Sequence, residues 1–122
     1  MERRTACACL SGALLGAALA TMVGCQSTAA QRRQLNSRSP LDRAAAVVHL
    51  AEAGDRESVH KLVDLLEDPD AAVRLVAIVG LRRLTGDDRG FVYYAAESER
   101  AAAVERWREA LRAGQVRVPA RP

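Results

Sequence analysis

At 122 residues the chain has room for one small domain, whose core is too thin to enclose a large pocket. The net charge of +3 and pI of 9.1 raise nucleic-acid binding, but the charges are mixed in sign along the helical stretches, as over residues 97–112, and loss of residues 1–24 removes Arg3 and Arg4 with Glu2; nucleic acid is therefore not an expected partner. Cys7, Cys9 and Cys25 are the only cysteines, so residues 26–122 can form neither a disulfide nor a thiolate metal site and must be held by packing.

The chain opens with Arg3 and Arg4, followed over residues 6–23 by an uncharged run rich in Ala and Leu. A positive head before such a run is the pattern of an export signal, and the run is shorter and less apolar than the ~20 residues a spanning helix needs. It ends in Met22-Val23-Gly24-Cys25, which resembles the bacterial lipobox, with Met22 where leucine is usual. The resemblance implies that residues 1–24 are a lipoprotein signal peptide cleaved after Gly24. It also implies a diacylglycerol thioether on Cys25 and acylation of the new amino terminus. Each buried methylene contributes ~0.8 kcal/mol, so two or more chains anchor durably to membrane lipid. Gln26, standing where some lipoproteins carry Asp, implies the outer membrane by the sorting rule of diderm bacteria. The other reading is an ordinary secretory signal or an uncleaved anchor.

Residues 25–39 are polar, with Leu35 the only large apolar side chain, and read as the lipid-attachment cysteine and a flexible tether. Ser39-Pro40 has the form of a helix start, and Leu41, Ala44, Val47, Val48 and Ala51 follow at helical spacing until Gly54. Asp55 can cap a second helix with Val59, Leu62, Val63 and Leu66 on one face. Asp68-Pro69-Asp70 breaks the chain and caps a third, which runs to about Thr85-Gly86. Residues 87–96 read as a loop; a fourth helix starts near Glu97 or Ser98, carries Val104, Trp107 and Leu111 on one face, and ends at Gly114. Residues 115–122 read as a disordered tail. Period-two alternation is missing, so the fold is expected to be all-α, with about four helices over residues 40–114.

Arg43, Ala46, Val47 and Leu50 recur as Arg74, Ala77, Ile78 and Leu81, an offset of 31 at every pair. A fixed period marks a solenoid. Residues 62–86 resemble a HEAT repeat: an apolar helix, a turn with Asp68 and Asp70, then a helix bearing Val73-Arg74, Ala77 and Leu81. The offset is shorter than the ~40–47 residues of HEAT and armadillo repeats and is similar to the shorter HEAT-like repeats of bacteria. The resemblance covers one full helical pair over roughly residues 40–86, plus the second helix of a preceding pair. Downstream, the aromatic loop and Trp-bearing helix are similar to the closing segment of bacterial HEAT-repeat lipoproteins.

The resemblance implies a short α-solenoid that binds proteins or peptides. Apolar residues surround most of the third helix, which predicts burial on two sides, by the first two helices and by the aromatic loop with the last helix. Leu75 and Val79 form a docking patch if that burial is incomplete. Arg74, Arg82 and Arg83 are candidate contacts on the same helix. Of the aromatics, all in the last third, most are expected to seal the stack and one tyrosine, Tyr93 or Tyr94, to stay partly exposed. His60 and Asp64, four apart, lack a Ser or Cys nucleophile and read as a surface pair; Asp87 and Asp88 lack the alternating oxygen ligands of a calcium loop; Asp68 and Asp70 read as helix caps, with Arg74 bonding the turn. No enzyme activity, cofactor or metal is expected. The expected role is a membrane-anchored interaction module of the cell envelope, meeting an envelope protein or a second copy of itself. An accessory subunit of an envelope enzyme and a purely structural component are the alternatives.

Overall fold

The structure, a computed structural model, describes residues 27–120; the signal segment, Cys25 and Gln26 lie outside the described residues. Among the described residues there are five α-helices and no strand: α1 (Thr28–Gln34), α2 (Pro40–Ala53), α3 (Val59–Asp64), α4 (Ala71–Thr85) and α5 (Glu97–Arg112). Short 3-10 turns, Arg56–Ser58 and Leu65–Glu67, flank α3. The helices expected at 40, 55, 70 and 97 are α2 to α5. None is long and apolar enough to cross a membrane.

Local chemistry sets most boundaries. Ser39 Oγ accepts from the Asp42 N–H at 3.3 Å with Pro40 in the first turn, and Asp70 Oδ1 accepts from Ala72 and Val73 at 2.8 and 3.2 Å. Gly54 closes α2 in the left-handed region at φ 68°, where a Cβ would be strained. The start of α5 differs: Ala96 caps it without a side-chain bond, and Glu97 and Glu99 in the first turn complement the exposed N–H groups.

Residues 27–39 correct the tether reading. They form α1 and a turn, with Leu35 only 1% exposed and Gln31 also buried. A helix at the edge of a stack needs an apolar flank on one side only, so a single leucine suffices where a central helix needs several. The offset of 31 extends upstream to this helix: Leu35, Ser37 and Ser39 stand where Leu66, Asp68 and Asp70 stand in the next repeat. The stack therefore holds two complete pairs, α1–α2 and α3–α4. Arg32 ties the first pair to the second by hydrogen-bonding both oxygens of Asp55, Nε to Oδ2 at 2.8 Å.

The arrangement has two layers. The first helix of each pair, α1 and α3, is followed in its layer by α5, which packs chiefly on α3 and the turn after it. The second helices α2 and α4 lie against each other in the other layer. The last helix thus sits beside α3, where a third repeat would begin, and not mainly against α4, as the apolar residues around most of α4 had suggested. The core runs between the layers through Leu50, Leu62, Leu66, Leu81, Val104 and Trp107, all fully buried.

Gly80 marks the closest approach within the second layer. A Cβ there would stand 2.8 Å from Val47 Cγ1, and valine's stiff χ1 leaves little room to retreat. Gly80→Ala gains about 1 kcal/mol of helix propensity, yet forcing α2 and α4 apart costs about 1–3 kcal/mol. The expected result is a lower urea midpoint for Gly80→Ala, and a larger drop for Gly80→Val.

The tail also packs more than its composition suggests. Residues 115–120 carry no helix, but Val116 and Val118 are half-buried against the core; Arg121 and Pro122 lie outside the described residues.

Candidate functional site

The residues singled out on α4 separate into two groups. Arg74 is committed to the fold: Nη1 donates to Asp68 O at 2.8 Å and Pro69 O at 3.0 Å, and Nε donates to Tyr93 O at 3.3 Å. It bonds the turn as expected and is not a free contact. Its counterpart Arg43 does the same one repeat earlier, Nη1 donating to Ser37 O at 2.7 Å and Arg38 O at 3.2 Å. Arg43 then adds what Arg74 lacks, a two-pronged bond to the next turn: Nε to Asp68 Oδ2 at 2.8 Å and Nη2 to Asp68 Oδ1 at 2.9 Å. Arg82 pairs with Asp88 at 2.5 Å on the surface, a contact worth little in water.

Leu75, Val79 and Arg83 form the second group. Leu75 is 37% exposed and Val79 53%, so the expected burial on two sides holds for Ile78 but not for these two. The reason lies in the layer order. The flank of α2 that meets Gly80 through Val47 and Ala51 corresponds, 31 residues on, to Ile78 and Arg82 of α4. The loop after α4, not another helix, meets that flank and leaves the residues beside it in water. Val48 on α2, one repeat before Val79, is exposed as well. Between the two helices runs a shallow apolar furrow, flanked by Val48 and Glu52 on one wall and Val76, Val79 and Arg83 on the other, with Gly80 at its floor.

The aromatic residues divide as their environments dictate. Trp107 and Phe91 are buried, and Trp107 Nε1 donates to Asp88 O at 3.1 Å while the Arg89 guanidinium lies 5.1 Å from the ring centre. Tyr93 is half-buried and meets Tyr94 edge-on at 5.1 Å, and Tyr94 is 77% exposed. Asp87 and Asp88 shape the loop: Asp87 Oδ1 accepts from the Arg89 N–H at 2.8 Å, Asp88 Oδ1 from the Gly90 N–H at 2.9 Å. The Gly90 N–H and the Arg82 guanidinium hold the Asp88 carboxyl below its ordinary pKa. His60 and Asp64 are exposed on α3, and among the described residues no group of three or more His, Cys, Asp or Glu is placed to hold a metal ion.

Asp55 carries the other lowered carboxyl. The Arg32 hydrogen bonds pull its pKa down first, Ser58 adds to this, and burial opposes it. A depressed folded pKa stabilises the fold above the unfolded value, about 3.9 for Asp, and that contribution is lost as pH falls through the folded pKa. Urea midpoints taken from pH 7 to pH 2 are therefore expected to fall less steeply below pH ~4 in Asp55→Asn than in the native chain.

The repeated arginine geometry, the two helical pairs and the closing helix together define the architecture, and a family model for HEAT repeats matches residues 29–112. The chain belongs to the HEAT-repeat family. No curated protein and no solved structure matches it. The matched span begins within α1 and ends with α5, so the family covers the helix that composition had assigned to a tether. HEAT repeats are protein-interaction modules, and the chain is a short all-α member of that class. Sequence reasoning missed Gly80 and the Arg43–Asp68 bond that joins successive turns. Gly80 had a signal: a glycine inside a helix costs about 1 kcal/mol and marks a close approach.

Proposed function

We propose that this HEAT-repeat chain is a lipid-anchored interaction module of the cell envelope, held at a membrane by acylated Cys25 and meeting an envelope protein through its second-helix layer. The observation that carries the anchoring is Met22-Val23-Gly24-Cys25 at the end of a charged head and an apolar run. The observation that supports the binding surface is the exposure of Val48, Leu75 and Val79 along α2 and α4. Tyr94 extends the candidate surface at the loop. Catalysis is not part of the proposal, and neither metal nor nucleic acid is needed for it. Gln26 favours the outer membrane, with the module on its periplasmic face.

Intact mass of the protein from envelope fractions tests the anchor. The native chain is expected to begin at Cys25 with the mass of attached acyl chains, and Cys25→Ala to retain residues 1–24 without them. An unmodified Cys25 in the native chain overturns the anchoring. Crosslinking with mass spectrometry in the same envelopes tests the surface. Val48→Asp and Val79→Asp change exposed positions and leave the fold intact, so they are expected to lose the crosslinks that the native chain makes; unchanged crosslinks overturn the placement.

A further inference from the structure

After α5 the chain turns at Gly114, φ 66°, and the Gln115 N–H donates to Ala110 O at 2.9 Å. Residues 116–120 then run back over the stack with no further hydrogen bond to it among the described residues. Val116 and Val118 are half-buried while Arg117 between them is exposed, the alternation of an extended strand. Val118, Pro119 and Ala120 share a hollow of about 230 Å³ with Ala51, Gly54, Arg83 and Leu84, at the C-terminal ends of α2 and α4. Ala51 and Arg83 also line the furrow between Val48 and Val79. Hollow and furrow therefore adjoin along Ala51 and Arg83, a groove across α2 and α4 that the chain's own Val118, Pro119 and Ala120 border at one end.

We propose that this groove takes extended protein segments with apolar side chains at alternate positions, and that Val116–Ala120 is its occupant in cis, competing with a partner's segment. The inference deepens the interaction reading above and rests on it for the existence of a partner. The chemistry of the groove selects this kind of occupant. Its walls are helices, whose backbone groups are already satisfied within each helix, so recognition goes through side chains and not through strand addition. The seated segment shows the pattern that fits: valines two apart, then a proline whose fixed φ lowers the entropy lost on binding. Held by side-chain contact alone, the segment can exchange without breaking a hydrogen-bond network. A seat filled nine-tenths of the time weakens a competitor's apparent affinity about ten-fold.

The test uses the purified full chain and a labelled peptide made of two tandem copies of residues 114–120. Two copies are long enough to run from the hollow into the furrow. The V116S/V118S form, with folding checked by circular dichroism, is expected to bind this peptide about ten-fold more tightly than the native chain. Its Val48 and Val79 methyl resonances should shift on binding. Excess peptide added to the native chain is expected to move the Val116 and Val118 methyl signals to their free positions, a readout that requires no variant. Equal affinity for both forms, failure of the released form to bind, or binding that leaves Val48 and Val79 unmoved overturns the proposal. These readouts are independent of Cys25, so loss of the anchoring proposal and loss of this one are distinguishable.

Discussion

Arg43→Ala is expected to lower the urea midpoint clearly more than Arg74→Ala, a serious loss for a domain held by only ~5–15 kcal/mol. The guanidinium of Arg43 spans two turns. It accepts no bond itself and donates four, two to the carbonyl oxygens of Ser37 and Arg38 and two to the carboxylate of Asp68. Asp68 has a side chain 5% exposed, and besides Arg43 its Oδ1 accepts from the Asp70 N–H at 2.9 Å. Truncating Arg43 leaves that carboxylate in a nearly dry site with one donor, which is why the cost exceeds that of an ordinary hydrogen bond. Arg43→Lys recovers little of it, because an ammonium cannot make the two parallel bonds. Arg74→Ala provides the internal comparison. Its partners are three carbonyl oxygens and no carboxylate, so no charge is stranded and about 1–3 kcal/mol is expected. Asp68→Asn keeps the acceptor for Asp70 and removes the charge; in Arg43→Ala it should reduce the penalty, giving a coupling measurable by urea denaturation in a double-mutant cycle. Equal costs for Arg43→Ala and Arg74→Ala would contradict this account.

The two arginines also show where the fold was legible in the sequence. Ser39, Gly54 and Asp70 act within a few residues of where they stand, and each sets the boundary it announced; Arg43 and Arg74 each bond the turn just before their helix, while the reach of Arg43 to Asp68, 25 residues on, had no local signal. The tether failed because composition was averaged over 15 residues in which one leucine did the packing. Leu35 is fully buried, and its register with Leu66 was visible only by carrying the repeat upstream of the helix start at Pro40. Exposure of Leu75 and Val79 was undecidable for a different reason. Apolar side chains around a helix state what could be covered, but cover depends on whether another helix follows, and here a loop follows. The tail carried a Val-Arg-Val alternation too short to outweigh its proline and arginine content. Of the candidate residues on α4, Leu75, Val79 and Arg83 are exposed, while Arg74 commits its Nε and Nη1 donors to the turn and the loop.

Trp107→Ala is expected to cost about 3–5 kcal/mol and to loosen the downstream end of the stack before the rest. The side chain is fully buried and is the largest in the core. It joins α5 to the loop after α4: the indole N–H holds Asp88 O, Arg89 covers the ring, and Arg106 Nε on the same helix donates to Arg89 O at 3.0 Å. The backbone at Arg89 sits at φ 49°, a conformation costly for a side chain other than glycine and kept by these contacts. Trp107→Phe retains most of the ring volume but loses the Asp88 bond, so about 1–2 kcal/mol is expected there. In a stack where each unit contacts mainly its neighbours, damage at one end spreads weakly. Amide exchange of Trp107→Ala should therefore rise most in α5 and residues 87–96, while α2, two elements away, keeps protection set by global unfolding. Uniform acceleration in α2 and α5 would mean that the two pairs and the closing helix unfold as one unit. The loop also carries Tyr93 and Tyr94 and covers the flank of Ile78, so its release would enlarge the apolar surface of α4. Partner crosslinks that depend on Val79 should then persist in Trp107→Ala, because the wall of the furrow belongs to α2 and α4 and not to the segment that closes the stack.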